Sequence, residues 1–332
     1  MNEYKGRINV SKDTMLFVVN DIFEQNIKEN TTKENILSLM LNIYEEAEDE
    51  LIIKMLPYET YKNIEWLIKY LKTSNDIKAF YYKNKYKDVR YLEEAMVIVG
   101  RVKYHEYIYE LNPGVLDKLK RIFSKENKLL AERYGEIEKL TIGMLYAYGI
   151  VDFEFLRSKL SKYMNEEISE QELRDFWFIR LNLNTFVNDY NIRWINTNEL
   201  QSFVTYLDEE YSPIDIGEIA EEQKARNMVY KEFSKQEILT REEYFENENS
   251  KKLYQFMKSK NDNIYEWTFK KILKKNELGI YVLGELSDMC NFNNDFELAK
   301  FMELFTLWYN NSPNYMLGGY SPIEFRMYLN EK

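Results

Sequence analysis

The single histidine and the single cysteine of the 332-residue chain are its most reactive candidate side chains. His105 precedes Glu106, and Glu110 is near in sequence, so the imidazole could act as a general base. A lone histidine in an aromatic segment is more often structural, and no paired nucleophile flanks it. Cys290 has no neighbouring base, so we expect a buried and inert thiol. These counts exclude an intrachain disulfide, a cysteine-based zinc site and a two-histidine metal site.

Motifs that bind phosphate or dinucleotides are absent from the sequence, which has neither a P-loop nor a Gly-x-Gly-x-x-Gly fingerprint. The sequence therefore assigns no catalytic residue, no metal ligand and no cofactor, and we predict a protein without enzymatic activity. A metal-dependent nuclease is an alternative, because carboxylates can bind catalytic metal ions and the sequence does not indicate which of the 56 would do so.

Lysine-rich segments are the candidates for contact with nucleic acid. The 45 basic and 56 acidic residues give a net charge of −11, which repels polyanions unless the basic residues are segregated. Residues 69–90 and 251–275 are such segments, and aromatic residues interleave with the lysines of the second. A solvated helix face explains such segments more often. The candidate contacts are Lys83, Lys85, Lys87, Arg90, Lys251, Lys252, Lys270, Lys271, Lys274 and Lys275.

The elements that position these residues are predicted to be mainly helices. Glycine and proline are scarce, at 11 and 5 residues, and 45% of the chain is apolar, which favours helices over turn-rich β-folds. The longest apolar run is 95–99 and Met1 leads into polar sequence, so we expect no membrane span, no signal peptide and a cytoplasmic location. We predict a mostly α, multi-domain protein with one or two winged-helix-like units and small β-hairpins.

Changes in pattern along the chain predict four domains. An acidic stretch around Pro213 marks the last boundary. The domains are N-terminal helices over 1–55, a winged-helix-like unit over 56–115, a second such unit with its connecting helix over 116–210, and a helical domain over 211–332.

Within the first two domains, the main N-terminal helix should begin near Thr32 and extend through the acidic residues 45–50. The following unit would be a weaker version of the winged-helix plan. Its elements are expected to be helices at 63–72, 76–83 and 88–99, the last capped by Asp88, and then a strand at 102–111 that contains His105.

The clearest helical pattern lies in the third domain. Apolar residues recur on one face from Ile137 to Tyr148, and Gly149 is the expected stop. A connecting helix over 116–135 should precede this one. Asp152 is expected to cap the next helix, Ser169 and Glu172 should form a capping box for the third, and a hairpin should follow from Ile192–Ile195 and Phe203–Leu207.

Three helices followed by a hairpin is the order of a winged helix-turn-helix domain, which usually contacts DNA through its third helix. Here the outward residues of that helix would be Glu170, Gln171, Arg174, Asp175 and Phe178, and those of the upstream counterpart would be Arg90, Glu93 and Glu94. Carboxylates repel phosphate, so we expect both units to contact proteins instead.

The segment WYNNSPNYMLGGYSPIEF, residues 308–325, predicts a helix, a tight reversal and a second capped helix. Asparagine and proline favour the turn, paired glycines permit the reversal, and Ser-Pro-x-Glu carries every start signal of a helix. We call this segment the clasp, and its key residues are Trp308, Pro313, Gly318, Gly319, Ser321, Pro322 and Glu324.

The clasp resembles the closing phrase of integrase-type transposases, a resemblance that implies three carboxylates holding two metal ions. MLFVVNDIF, residues 15–23, resembles the strand that carries the first of these carboxylates in that family, and Glu277 is spaced for the last. Around position 241 the sequence has no Asp. The catalytic set is incomplete, so the resemblance does not extend to transposase activity.

Residues 310–325 are also similar to the end of bacterial helical proteins that carry a SEC-C (YecA-type) zinc knuckle. The Cys and His residues of that knuckle are absent from this chain. The resemblance implies a bacterial or phage origin and an accessory or regulatory character, without a zinc site.

Together these observations predict a regulatory, adaptor or inhibitor protein that acts by binding a protein partner. The alternative is a DNA-binding regulator that uses the winged-helix units and the lysine-rich segments. The sequence leaves the identity of the partner and the oligomeric state open.

Overall fold

The computed structural model is mostly helical, with small antiparallel sheets, as the sequence predicts. It describes residues 7–58, 61–62, 86–103, 106–111, 118, 122, 125–183, 192–196, 201–205, 230–241, 246–266, 269, 279–314 and 317–331. The predicted helices at 63–72 and 76–83, His105 and Pro213 lie outside these residues.

The helices are α1 (Lys12–Phe17), followed directly by a π-helix (Val18–Ile22), α2 (Lys33–Glu46), α3 (Asp49–Met55), α4 (Tyr86–Glu94), α5 (Lys125–Tyr148), α6 (Phe153–Met164), α7 (Glu170–Leu181), α8 (Lys235–Leu239), α9 (Glu248–Lys260), α10 (Gly279–Asp288), α11 (Asp295–Asn310) and α12 (Pro322–Asn330). The strands are β1 (Arg7–Ile8), β2 (Ile98–Lys103), β3 (Glu106–Leu111), β4 (Ile150–Asp152), β5 (Ile192–Asn196) and β6 (Gln201–Thr205).

The chain divides into two compact units that do not follow a single cut in the sequence. The first unit contains residues 1–138 and 169–190, and the second contains residues 139–168 and 191–332. Helix α5 therefore contributes residues to both units, and α7 belongs to the first although it follows α6 of the second.

Residues 15–22 are helical, as expected for the N-terminal helices over 1–55, whereas the transposase segment that they resemble is a strand. Ser11 caps α1 by accepting a hydrogen bond from the Thr14 amide at 3.0 Å. Met15, Val18 and Val19 are fully buried, and their spacing of three and four residues belongs to one helical face rather than to alternating strand positions.

Helix α2 begins after Thr32 as predicted, but its extension through the acidic run is wrong. The helix ends at Glu46, Ala47 and Glu48 have extended backbone, and α3 begins at Asp49. Lys118 donates to the Ala47 carbonyl at 2.9 Å and lies 2.9 Å from a carboxylate oxygen of Asp49. Acidic residues favour a helix start over a helix end because of the macrodipole, so the run begins a new helix.

The predicted helix over 88–99 and the single strand over 102–111 are both wrong in extent. Helix α4 spans Tyr86–Glu94, so Asp88 lies inside it, and Met96 adopts a left-handed backbone with φ of 55° before β2 begins. Strands β2 and β3 form a hairpin, and β1 pairs with β2, giving the order β1-β2-β3. The valine and isoleucine residues at 97–99 therefore belong largely to a buried strand rather than to a helix.

Helix α5 joins the two helices predicted on either side of Gly135. Glycine is expected to interrupt a helix, but here a Cβ atom at position 135 would lie 2.4 Å from the Tyr58 Cβ. Gly135 thus permits close packing within an unbroken helix. The apolar face predicted from Ile137 to Tyr148 is buried, and Gly149 ends the helix with φ of 72°.

The elements after α5 include one strand that the sequence pattern did not indicate. Strand β4 pairs with β6, which pairs with β5, so the sheet order is β4-β6-β5. Asp152 caps α6 through the amides of Glu154 and Phe155, as predicted. Ser169 caps α7, but the predicted capping box is incomplete, because the Glu172 carboxylate pairs with Arg133.

The described part of the C-terminal domain is helical, as predicted. Its core is formed by α9, α10, α11 and the segment that follows α9, with Leu253, Met257, Leu286 and Phe301 fully buried or nearly so. Helix α11 ends at Asn310, and Gly318 and Gly319 adopt positive φ of 60° and 86°.

Candidate protein-binding surface

An aromatic pair on the surface of the first unit joins α1 to α7. The ring centroids of Phe17 and Phe178 lie 5.6 Å apart at 54°. Phe178 is 50% exposed, and Phe17 is half-buried. A large exposed aromatic ring held by a second ring is a common anchor in protein interfaces, because it contributes contact area at low entropic cost.

Beside this pair lies a shallow, open groove of about 420 Å³. Leu16 and Phe17 supply its apolar part, and charged or polar side chains surround them. The lining residues are Lys12, Asp13, Leu16, Phe17, Asn20, Asp21 and Glu29.

Local hydrogen bonds hold the groove in shape. The Asn20 side chain donates to the Ile27 carbonyl at 2.8 Å and accepts from the Ile27 amide at 2.6 Å. Asn20 belongs to the π-helix, and π-helical turns place side chains differently from α-helical ones. These two hydrogen bonds link the π-helix to the loop that carries Glu29, so the two sides of the groove are held together.

Helix α7 extends this surface away from the groove. Gln171, Asp175 and Phe178 follow one another at spacings of four and three residues, so they lie on one helical face. All three are exposed, as the sequence predicts, and the Gln171 amide donates to the Asp175 carboxylate at 2.8 Å. Glu170 is exposed beside them and lies 2.8 Å from Arg174. We call this stripe and the groove together the α1–α7 surface.

The α1–α7 surface carries more acid than base. Its acids are Asp13, Asp21, Glu29, Glu170 and Asp175, against the bases Lys12 and Arg174. Five acids minus two bases leave a net charge of −3 around an exposed aromatic pair. A cationic side chain could stack over the Phe178 ring and contact these carboxylates.

The upstream helix does not present the surface predicted for it. Arg90 is exposed as expected, but Glu93 and Glu94 are only 2% and 6% exposed, so their predicted outward position is wrong. The Asn9 amide donates to Glu93 at 3.2 Å, and burial raises the pKa of this carboxyl. The Glu93 carboxylate is directed toward the sheet, where the missing side chain of Gly100 leaves room for it.

The lysine candidates are only partly located. Lys251 and Lys252 are exposed on α9, and Lys251 lies 3.3 Å from Glu248 of the same helix. Lys87 lies in α4, whose backbone alone is described at that position. Lys83, Lys85, Lys270, Lys271, Lys274 and Lys275 lie outside the described residues. Of the interleaved aromatic residues, Phe269 is buried in the core of the second unit, where it cannot stack on a base.

Reactive groups do not cluster in the described part of the chain. No three His, Cys, Asp or Glu side chains there come together in an arrangement that could hold a metal ion. Cys290 is half-buried rather than buried, and burial raises the pKa of its thiol to about 11, so it is protonated at neutral pH. Across the same residues, every helix is too short or too polar to cross a lipid bilayer.

The clasp residues fulfil packing and capping roles. Trp308 is buried in the core of the second unit, and a Cβ atom at Gly319 would lie 3.1 Å from the Tyr148 ring. Ser321 and Glu324 form a capping box at the start of α12, with Pro322 in the first turn. Glu324 also lies 2.6 Å from the Lys231 ammonium.

Comparisons with protein families, with curated proteins and with solved structures find no match for this chain.

Sequence reasoning found one half of this surface and missed the other. The outward residues of α7 follow from helical periodicity. Phe17 and the groove were missed, because no local pattern indicates that α1 packs beside α7.

Proposed function

We propose that this protein is a non-enzymatic regulator, adaptor or inhibitor that binds a protein partner through the α1–α7 surface. The observation that carries the proposal is the partly exposed Phe17–Phe178 pair beside a groove lined by carboxylates. Such a surface fits a partner segment rich in Arg or Lys, because carboxylates steer a cationic segment toward the aromatic anchor. A protein that itself binds nucleic acid has such a segment.

The connectivity of residues 125–205 supports a winged-helix interpretation of the chain. The elements described there follow as helix, strand, helix, helix, strand, strand, and the sheet order is β4-β6-β5. This order along the chain is the one expected for a winged helix with α7 as the third helix, although α7 belongs to the first compact unit and α6 and the sheet belong to the second. The upstream sheet has the different order β1-β2-β3, so it supports no second copy of the plan.

In this interpretation α7 serves protein recognition rather than base recognition. Its exposed face carries Glu170, Gln171, Asp175 and Phe178, and only Arg174 is basic. Neutralising phosphates requires several cations on the contact surface. The acidic face therefore favours a protein partner over DNA.

The experiment measures binding of a fluorescein-labelled Arg-Gly repeat peptide to the full chain by anisotropy, with Phe178→Ala and Asp175→Asn as test variants. Glu303→Gln on the exposed face of α11 is the control, because it removes the same charge as Asp175→Asn at a distant place in the sequence. We expect each test variant to weaken binding about tenfold and the control to stay within about twofold of wild type. Equal weakening by Asp175→Asn and Glu303→Gln would mean that only net charge is sensed, which contradicts the proposal.

A labelled DNA duplex, titrated at about 50 and 200 mM salt, tests the alternative function. We expect no binding at the lower salt. Micromolar binding that disappears at the higher salt would show that the lysine-rich segments form a phosphate-binding surface.

A further inference from the structure

Helix α12 is covered by very little of the protein. Six of its nine residues are apolar or aromatic, yet none of the nine is buried. The ring of Tyr320 stacks with Tyr328 and lies 6.0 Å from Phe325, which accounts for one side of the helix. A nine-residue helix is marginal on its own in water, so its uncovered side favours a packing partner.

The uncovered side carries a short stripe of two apolar residues and one asparagine. Ile323, Met327 and Asn330 are all exposed, and Met327 is 61% exposed. Their spacing of four and then three residues is the spacing of the contact positions in a two-stranded helical pair. Leu329 is also exposed but lies on the opposite side of the helix.

Two opposite charges flank this stripe. Arg326 and Glu331 are both exposed, and neither forms an ion pair within the described residues. They lie on opposite flanks of the stripe and five residues apart. In a parallel pair of helices, a residue at the position of Arg326 faces the residue five further along the other helix, which is Glu331.

We propose that α12 pairs in parallel with α12 of a second copy of this chain, forming a two-fold symmetric dimer. Arg326 of each copy then faces Glu331 of the other, and Met327 meets its counterpart at the centre. The stripe is self-complementary, as a two-fold interface requires. In an antiparallel pair, Arg326 of one copy would face Arg326 of the other and the like charges would repel. The charge pattern therefore favours the parallel arrangement.

The charges around the stripe also permit two chains of net charge −11 to approach. Arg326 and Glu331 cancel, and Glu324 is already paired with Lys231 of its own chain. The contact region is therefore close to neutral, and repulsion acts only between more distant groups, where salt screens it. This inference does not depend on the partner proposed for the α1–α7 surface.

Sedimentation equilibrium of the full chain tests the dimer, with Met327→Lys as the disrupting variant. Lysine is a good helix former and is favourable near a helix C-terminus, so α12 should stay folded, as circular dichroism can check. We expect self-association to weaken at least about tenfold. Leu329→Lys is the matched control, with the same chemistry and charge on the opposite side, and should stay within about twofold of wild type.

The orientation is tested by exchanging the flanking charges. Arg326→Glu should weaken the dimer, and adding Glu331→Arg in the same chain should restore it. Overturning results are a wild-type chain that is monomeric up to about 0.5 mM, an equal effect of Met327→Lys and Leu329→Lys, or a double exchange that restores nothing.

Discussion

The guanidinium of Arg180 is fully buried and lies 3.2 Å from the carboxylate of Glu138, which is itself almost completely buried. Arg180 also donates to the carbonyl oxygens of Met55 and Leu56 at 3.2 and 2.9 Å. These carbonyls are at the end of α3, where helical hydrogen bonding stops. One cation thus neutralises a buried carboxylate and completes a helix end.

Replacing Arg180 by Met is expected to destabilise the protein strongly. The side chain is similar in volume, but Glu138 would keep a buried charge without this cation and two carbonyls would lose their donor. We expect the free energy of unfolding to fall by about 3–5 kcal/mol, measured by urea denaturation. Arg174→Met on the same helix removes an exposed pair and should cost at most about 1 kcal/mol. Similar losses for both variants would mean that burial of Arg180 is not what matters.

Glu93 should make the protein less stable as the pH rises. Burial raises the pKa of this carboxyl in the folded chain above its ordinary value of 4.5, so the folded chain holds the proton more tightly than the unfolded chain. The stability associated with that proton is complete below pH 4.5 and is lost as the pH rises through the folded pKa. Glu93→Gln stays neutral, so it should be more stable than wild type at pH 7 and equal to it at about pH 4.

Glu34 provides the control of opposite sign. A side-chain hydrogen bond from Arg101 holds the pKa of the Glu34 carboxyl below its ordinary value. Glu34→Gln should therefore be less stable than wild type at pH 7, with the difference shrinking as the pH falls. Thermal denaturation at several pH values measures both variants, and slopes of the same sign would contradict the two assignments.

Two helical glycines should respond oppositely to alanine. A Cβ atom at Gly143 would lie 2.1 Å from the Ile238 carbonyl oxygen, and backbone cannot move aside as a side chain can. Gly143→Ala should cost about 1–3 kcal/mol of unfolding free energy. At Gly284 no atom lies within 4 Å of such a Cβ, so Gly284→Ala should gain up to about 1 kcal/mol from helix propensity. Urea denaturation compares them, and destabilisation by both variants would contradict the packing described for Gly284.

Asn20→Ala should open the groove without unfolding the protein. The change removes both hydrogen bonds to Ile27 and is expected to cost about 1–2 kcal/mol locally. Amide hydrogen exchange of residues 24–28 should become faster, and the Arg-Gly peptide should bind more weakly. Asn311→Ala, which removes one exposed hydrogen bond to Leu307, should change neither result. Unchanged exchange in Asn20→Ala would show that other contacts fix the loop.

Local chemistry explains which parts of the fold could be predicted from sequence. The starts of α2, α6 and α12 depend on Thr32, Asp152 and Ser321, whose side chains bond to amides two or three residues away. Such contacts can be predicted because both partners are close together in the sequence. The stop at Gly149 is equally local, because it needs a positive φ that glycine readily adopts.

The features that were missed depend on distant contacts. Strand β4 has only three residues, too few for an alternating pattern, and exists because β6 pairs with it. Gly135 looks like a helix break until Tyr58 is placed against it. Glu93 looks like a solvated carboxylate until Gly100 provides room for it. Half of the candidate surface was missed for the same reason, since Phe17 meets Phe178 only in the folded chain.

The path of the chain between its two compact units limits how the protein can be divided. Residues 139–168 leave the first unit and residues 169–190 return to it, so the backbone passes between the units at three points. A fragment ending at residue 138 would lack α7, and with it Arg180. Neither compact unit is therefore encoded by one uninterrupted stretch of the gene, so neither can be expressed or moved into another protein as a single segment. Recombination that exchanges whole modules would have to take both units together.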